Sequence, residues 1–146
     1  MFDEGPQLQP TFIKKEFTLG KTERLKSRKT IEQLFASRQS FNSFPYRVFY
    51  VFVETAPASL QAGFGVSTKN FKKAVDRNRV KRLGREAYRL QKNDLQNILA
   101  DRNLQLAIFF IFSGKELPNY ALVQNKIETS VQRLIKLVNE KSASNS

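Results

Sequence analysis

Between positions 77 and 92 the chain concentrates groups suited to holding phosphate: Arg77, Asn78, Arg79, Lys81, Arg82, Arg85, Arg89 and Lys92. A guanidinium offers a planar fork that pairs bidentately with phosphate oxygens, whereas an ammonium acts as a point charge. At about 100° per residue, a helix over 77–92 divides into two sides. Val80, Leu83, Gly84, Ala87 and Leu90 fall on one; Asn78, Lys81, Arg82, Arg85, Arg89 and Lys92 fall on the other. The second row has no acid at its centre, and Glu86 lies at its edge. A merely solvated face usually mixes signs for i,i+4 pairing and has no need of arginine. The pattern therefore favours phosphate binding. Lys69, Lys72 and Lys73 extend the patch, and Asp76 as N-cap would aim free helix amides at an anion.

A second surface is suggested by Tyr46 and Tyr50, on one face of a strand beside the small residues Gly63, Gly65 and Ser67 of another. Exposed rings over a low floor would stack the bases of an unpaired nucleic-acid strand. The same pattern is equally that of two core tyrosines with satisfied hydroxyls.

Catalytic groups are scarce. The 146 residues contain no His and no Cys, which removes imidazole bases, thiol nucleophiles, disulfides and the usual zinc ligands. No phosphate-binding loop or dinucleotide fingerprint is present, and the 13 acids are too scattered for a two-metal site. The polypeptide alone is not expected to be a catalyst. Its 25 Lys and Arg leave a net charge of +12, which argues for a polyanionic partner, a nucleic acid or in competition an anionic membrane surface. The opening Met1-Phe2-Asp3-Glu4-Gly5-Pro6 has no apolar signal region, and the apolar run from Leu106 to Phe112 is too short to span a bilayer. A soluble, cytoplasmic protein is expected.

These groups need a scaffold. Residues 1–17, with Gly5, Pro6 and Pro10, read as a flexible tail; 18–141 as one domain; 142–146 as a frayed end. A first helix is expected over 27–37, capped by Ser27, with Ile31, Leu34 and Phe35 on one side. A strand over 44–53 sets Tyr46, Val48, Tyr50 and Phe52 against Arg47, Phe49, Val51 and Val53. A turn with Pro57 and a strand over 61–67 follow, the latter with Ala62, Phe64 and Val66 on its apolar face. After the helix at 77–92, where Gly84 allows close approach to a strand, come a buried strand over 104–112 and a last helix over 120–140. The stripe Val123, Ile127, Val131, Leu134 and Val138 belongs to the core. The order predicts an α+β sandwich with helices packed on one sheet.

The stretch from Lys72 to Ala87, with Arg77-Asn78-Arg79 leading into Lys81-Arg82 and Arg85-Glu86, closely resembles the signature of the bacterial ribonuclease P protein component. Arg24-Leu25-Lys26 with Leu34-Phe35, and Phe64-Gly65-Val66-Ser67, resemble that family's first helix and a strand; the likeness spans about 18–138. It implies a mostly antiparallel four-stranded sheet of the ribosomal-protein-S5-domain-2-like type, with a left-handed strand–helix–strand crossover. It further implies a subunit of an endoribonuclease in which a catalytic RNA and its Mg2+ ions cleave precursor tRNA, while the protein binds that RNA and the 5′ leader. No obligate protein partner and no membrane are implied. On this resemblance Asn78, Arg79, Lys81, Arg82 and Arg85 contact the catalytic RNA. Arg77 also matches, with a share in helix geometry, and the charge pattern adds Arg89. Phe35 and Tyr50 match aromatic cleft positions facing the leader, with Ser67 and Lys69 beside them; Tyr46 joins from the strand pattern. Ile31 stands where the family often has Phe, and the loop between Ser67 and Ala74 is one residue longer than in many members. A structural RNA binder of the same fold and a DNA-binding helix module are the other classes considered. The second lacks a short helix–turn–helix pair.

Overall fold

The computed structural model describes residues 23–54 and 58–145. Its elements are α1 (Arg28–Ser37), β1 (Ser40–Ser43), β2 (Tyr46–Val53), β3 (Leu60–Val66), α2 (Ala74–Arg89), α3 (Asn93–Asp101), β4 (Gln105–Phe112) and α4 (Tyr120–Asn145). The expected tail over 1–17 and the heart of the Pro57 turn lie outside the described residues.

The strands form one sheet in the order β1-β2-β4-β3. β1 with β2 and β2 with β4 are antiparallel, and β3 with β4 is parallel, so the sheet is mixed but mostly antiparallel. Antiparallel neighbours need only short connections, whereas the parallel pair requires a crossover. Here that crossover carries α2 and α3. β4 is flanked on both edges, buried on one face and half-covered by α1 on the other, which accounts for its unbroken apolar run.

The helices divide between the two faces. One face presents Tyr46 and Val48 of β2, Leu60 and Ala62 of β3, and Leu106, Ile108, Phe110 and Phe112 of β4 to α2, α3 and α4. The α4 stripe Val123, Ile127, Val131, Leu134 and Val138 is fully buried there, as its period requires. On the other face α1 packs Leu34 against Val51 and Ala107, with Leu25 beside it. The Ser27 hydroxyl caps α1 by accepting the Thr30 amide at 3.3 Å, and the Asn119 side chain caps α4 by accepting the Leu122 amide at 2.8 Å.

Four boundaries differ from the sequence reading by more than a residue. The last helix, α4, expected to stop at 140 before a frayed end over 142–146, continues to Asn145. The strand expected from Phe44 begins at Tyr46, because Phe44-Pro45 forms the two-residue turn of a hairpin with β1. β1 is silent in the pattern because Phe41 is its only apolar residue. α2 begins at Ala74 rather than Arg77, so Asp76 lies inside the first turn instead of capping it; Lys73 holds the cap position without a side-chain bond. α2 also ends at Arg89, and the unexpected α3 follows, buried through Leu95 and Leu99.

Gly84 performs the role its position suggested. A Cβ there would meet the Phe64 ring at 3.0 Å, so the missing side chain lets α2 lie directly on β3. A Gly84→Leu substitution should cost about 1–3 kcal/mol by overpacking, despite leucine's better helix propensity. The midpoint of urea unfolding measures it; an unchanged or raised midpoint would mean that α2 does not depend on this close approach.

Candidate nucleic-acid interface

Helix α2 turns Val80, Gly84, Ala87 and Tyr88 into the core and leaves Asn78, Arg79, Arg82 and Arg85 exposed, with Lys81 half-buried. Burial raises the pKa of the Tyr88 hydroxyl, and to a lesser extent the Glu23 charge does too; the ring therefore stays neutral in the core. Leu90, expected on the docked side, follows the helix and is 45 % exposed.

The cations of this stretch do not all face solvent. Arg77 Nη1 donates to the carbonyls of Phe71 and Lys72, each at 2.8 Å, and so clips the preceding loop to the helix. Asn70 Nδ2 ties that loop to the end of β4 through the Ser113 and Gly114 carbonyls, at 3.1 and 3.3 Å. Lys69 remains exposed on the loop, and Ser67 is half-buried at its start. Arg89 donates to Glu86 one turn earlier, through Nε at 3.1 Å and Nη2 at 2.5 Å. That bond holds the Glu86 carboxyl below its usual range. Because the folded value is the lower one, the pair supports the fold above the ordinary carboxylate range and fades as pH falls through the depressed value. Lys92, read as part of the cationic row, is 1 % exposed and paired with Glu23. It lies beyond the end of α2, so the helical period no longer places it on the outer side.

The structure has an aromatic hollow that includes Phe35, as anticipated, but not the two tyrosines. The α1 face of the sheet carries Arg47, Phe49, Val51 and Val53 of β2, aligned with Ile111, Phe109, Ala107 and Gln105 of β4 and with Gly65, Gly63 and Gln61 of β3. α1 covers Val51 and Ala107 and leaves Phe49, Phe109, Ile111 and Gly65 partly open. Phe35, 40 % exposed, projects from α1 with its ring edge-to-face on Phe49 at 4.9 Å and on Phe109 at 5.6 Å. The Arg47 guanidinium lies over Phe49 at 5.3 Å. The small residues of β3 are themselves a seat: a Cβ on Gly63 or Gly65 would stand 2.9 or 2.8 Å from the Phe109 ring.

Tyr46 and Tyr50 are corrected by this geometry. Both point to the opposite face. Tyr46 is 3 % exposed between Phe110 and Phe112, and desolvation raises its pKa. Tyr50 packs near Phe41, with ring centroids 6.2 Å apart. Neither shares a face with Phe35. The aromatic beside Phe35 on β2 is Phe49, one residue earlier; alternation identified the two faces, but not which of them α1 would half-cover.

Sheet, helix and cleft define a basic α+β protein with an arginine-rich helix on one side of the sheet and an aromatic hollow on the other. A family model described as Ribonuclease P matches residues 19–135, and the chain belongs to that family. It is 38 % identical over 119 residues to the ribonuclease P protein component of Porphyromonas gingivalis, covering 81 % of this chain and 87 % of that one. It is 34 % identical over 121 residues to the same component of Chlorobium phaeobacteroides, covering 75 % and 83 %. The RNase P protein of Staphylococcus aureus superposes with a TM-score of 0.61 at 21 % identity, over 77 % of this chain and 95 % of that one, which establishes a common fold.

The Glu23–Lys92 pair has a measurable consequence. Glu23→Gln removes a counter-charge from a buried ammonium and should destabilise the fold by up to about 3–5 kcal/mol, whereas Glu23→Leu with Lys92→Met should be clearly less costly. Urea titrations of the two variants decide it; equal destabilisation would mean that packing, not charge, holds this corner.

Proposed function

We propose that this chain is the protein subunit of the ribonuclease P ribonucleoprotein. In this reading it binds the catalytic RNA through α2 and the 5′ leader of precursor tRNA through the aromatic cleft, promoting endonucleolytic release of the mature 5′ end. One observation carries the proposal: in a member of this family, Asn78, Arg79, Arg82 and Arg85 stand exposed on α2 with Lys81 between them, and no acid lies at the centre of the row. Such a row gains affinity from phosphates by displacing their condensed counterions.

Among the described residues, no group of three or more His, Cys, Asp or Glu could hold a metal ion. In the proposed reading, which follows the family resemblance, Mg2+ held by the RNA hydrolyses the phosphodiester, and the protein's part is positioning and charge neutralisation. No helix among the described residues is long and apolar enough to cross a membrane. The partners assigned are the catalytic RNA and precursor tRNA, without an obligate protein partner, in the cytoplasm.

The direct test mixes the protein with a bacterial ribonuclease P RNA and precursor tRNA at low magnesium. Stimulated cleavage at the mature 5′ end is expected, and its absence overturns the proposal. An Arg79→Ala, Arg82→Ala double variant should flatten the log–log salt dependence of RNA assembly by about 0.7–0.9 for each phosphate no longer neutralised. An unchanged slope would remove α2 from the interface. In the cleft, Phe49→Ala should lower affinity for leader-bearing precursor by about 1–3 kcal/mol while sparing mature tRNA. Tyr50→Ala should instead lower the urea midpoint and leave that preference intact. The reverse assignment would place the leader on the other face of the sheet.

A further inference from the structure

The segment before α1 runs along the free edge of β3. Arg24 bridges Ala62 in parallel, and the Leu25 amide donates to the Ala62 carbonyl at 3.0 Å. The Glu23–Lys92 pair fixes the start of this segment, and the buried Leu25 fixes its centre. Arg24 and Lys26 are left exposed on either side of Leu25. Beside them the edge of β3 opens into a recess of about 410 Å3 lined by Arg24, Leu25, Lys26, Gly63, Arg85 and Phe109, among others. Among the described residues, no acid lines it.

Two features give the recess a meaning. Arg85 belongs to the cationic side of α2, so the recess reaches that row. Phe109 is the ring on which Phe35 rests edge-on, so the recess also reaches the aromatic cleft. It is the junction of surfaces that otherwise lie on opposite faces of the sheet. Three cations from two separate segments converge there around a ring.

We infer that this recess is a phosphate subsite for single-stranded RNA, in which Arg24, Lys26 and Arg85 hold the sugar-phosphate backbone as it passes from the aromatic cleft over the edge of β3 towards α2. The inference deepens the leader-binding reading and rests on it. It makes the cleft and the helix two ends of one track, and it assigns Arg24 and Lys26 to binding. A single strand fits because its bases can turn onto rings while its backbone follows the charge; a duplex offers no free base faces to the cleft.

The test uses the full chain and a fluorescein-labelled oligouridylate, without catalytic RNA. Affinity is measured across a salt series. Arg24→Ala with Lys26→Ala should flatten the log–log slope by about 0.7 for each phosphate released, and Arg85→Ala by a similar step. Lys115→Ala with Lys126→Ala, beside the separate groove at Phe44 and Phe112, should leave the slope unchanged. In the unsubstituted protein, oligouridylate should shift the amide resonances of Gly63 and Phe109 together with those of α2. The inference is overturned if the Arg24, Lys26 variant keeps the full slope, if the Lys115, Lys126 variant is flattened as much, or if α2 amides shift while Gly63 does not. Equal competition by a duplex overturns the single-strand assignment. These outcomes are independent of precursor cleavage, so the track can fail while stimulation of the catalytic RNA stands, and the converse.

Discussion

The Phe109 ring lies where the side chains of Gly63 and Gly65 would be, and much of the molecule follows from that packing. A side chain at either glycine would lift the ring off β3, and the ring supports Phe35 from below. With Phe109 seated low, a helix of 10 residues covers only part of the face, and a hollow of rings remains instead of a closed core. The same strand sends Phe110 to the other side, stacked on Phe64 at 5.1 Å, and Phe64 is the ring that Gly84 of α2 approaches. Bare backbone is thus used twice on β3 and its neighbour: once to seat the Phe109 ring low on the sheet, once to bring the cationic helix close to it.

Charge is distributed with the same restraint. A chain of net charge +12 repels itself, and desolvating a cation without a partner is costly. The acids near the site are placed accordingly. Glu23 neutralises Lys92, the cation that is buried, and Glu86 engages Arg89 at the end of α2. The middle of the helix is given no acid. Arg77 commits one guanidinium nitrogen to two loop carbonyls, so the first cation of the motif holds geometry while Arg79, Arg82 and Arg85 stand outward.

Legibility in the sequence followed the range of the interaction concerned. The α4 stripe, the Ser27 cap and the two sides of α2 depend on neighbours within a few residues, and periodicity exposed them. The fate of Lys92 depends on Glu23, 69 residues away, and no local pattern carries that. β1 is four residues with one buried side chain, below what alternation can register. The cleft shows the limit most clearly. β2 is apolar on both faces, so alternation separated Tyr50 from Phe49 without saying which lay under α1. The resemblance favoured Tyr50; register with β4 pairs Phe49 with Phe109 and so puts Phe49, not Tyr50, on the face that α1 half-covers.

That one-residue difference bears on the proposed binding. With Tyr50 as the cleft residue, the proposed leader and catalytic-RNA surfaces would lie on the same side of the sheet, that of α2. Phe49, with Arg47 over its ring and Phe35 against its edge, lies on the reverse side. A single nucleic-acid chain reaching both surfaces then has to cross a sheet edge. The β1 edge lies beyond β2, away from α2 in the strand order, whereas β3 is the edge that packs against α2 and carries Arg24 and Lys26 alongside it. The strand order, more than any one side chain, determines where a backbone would pass from rings to arginines.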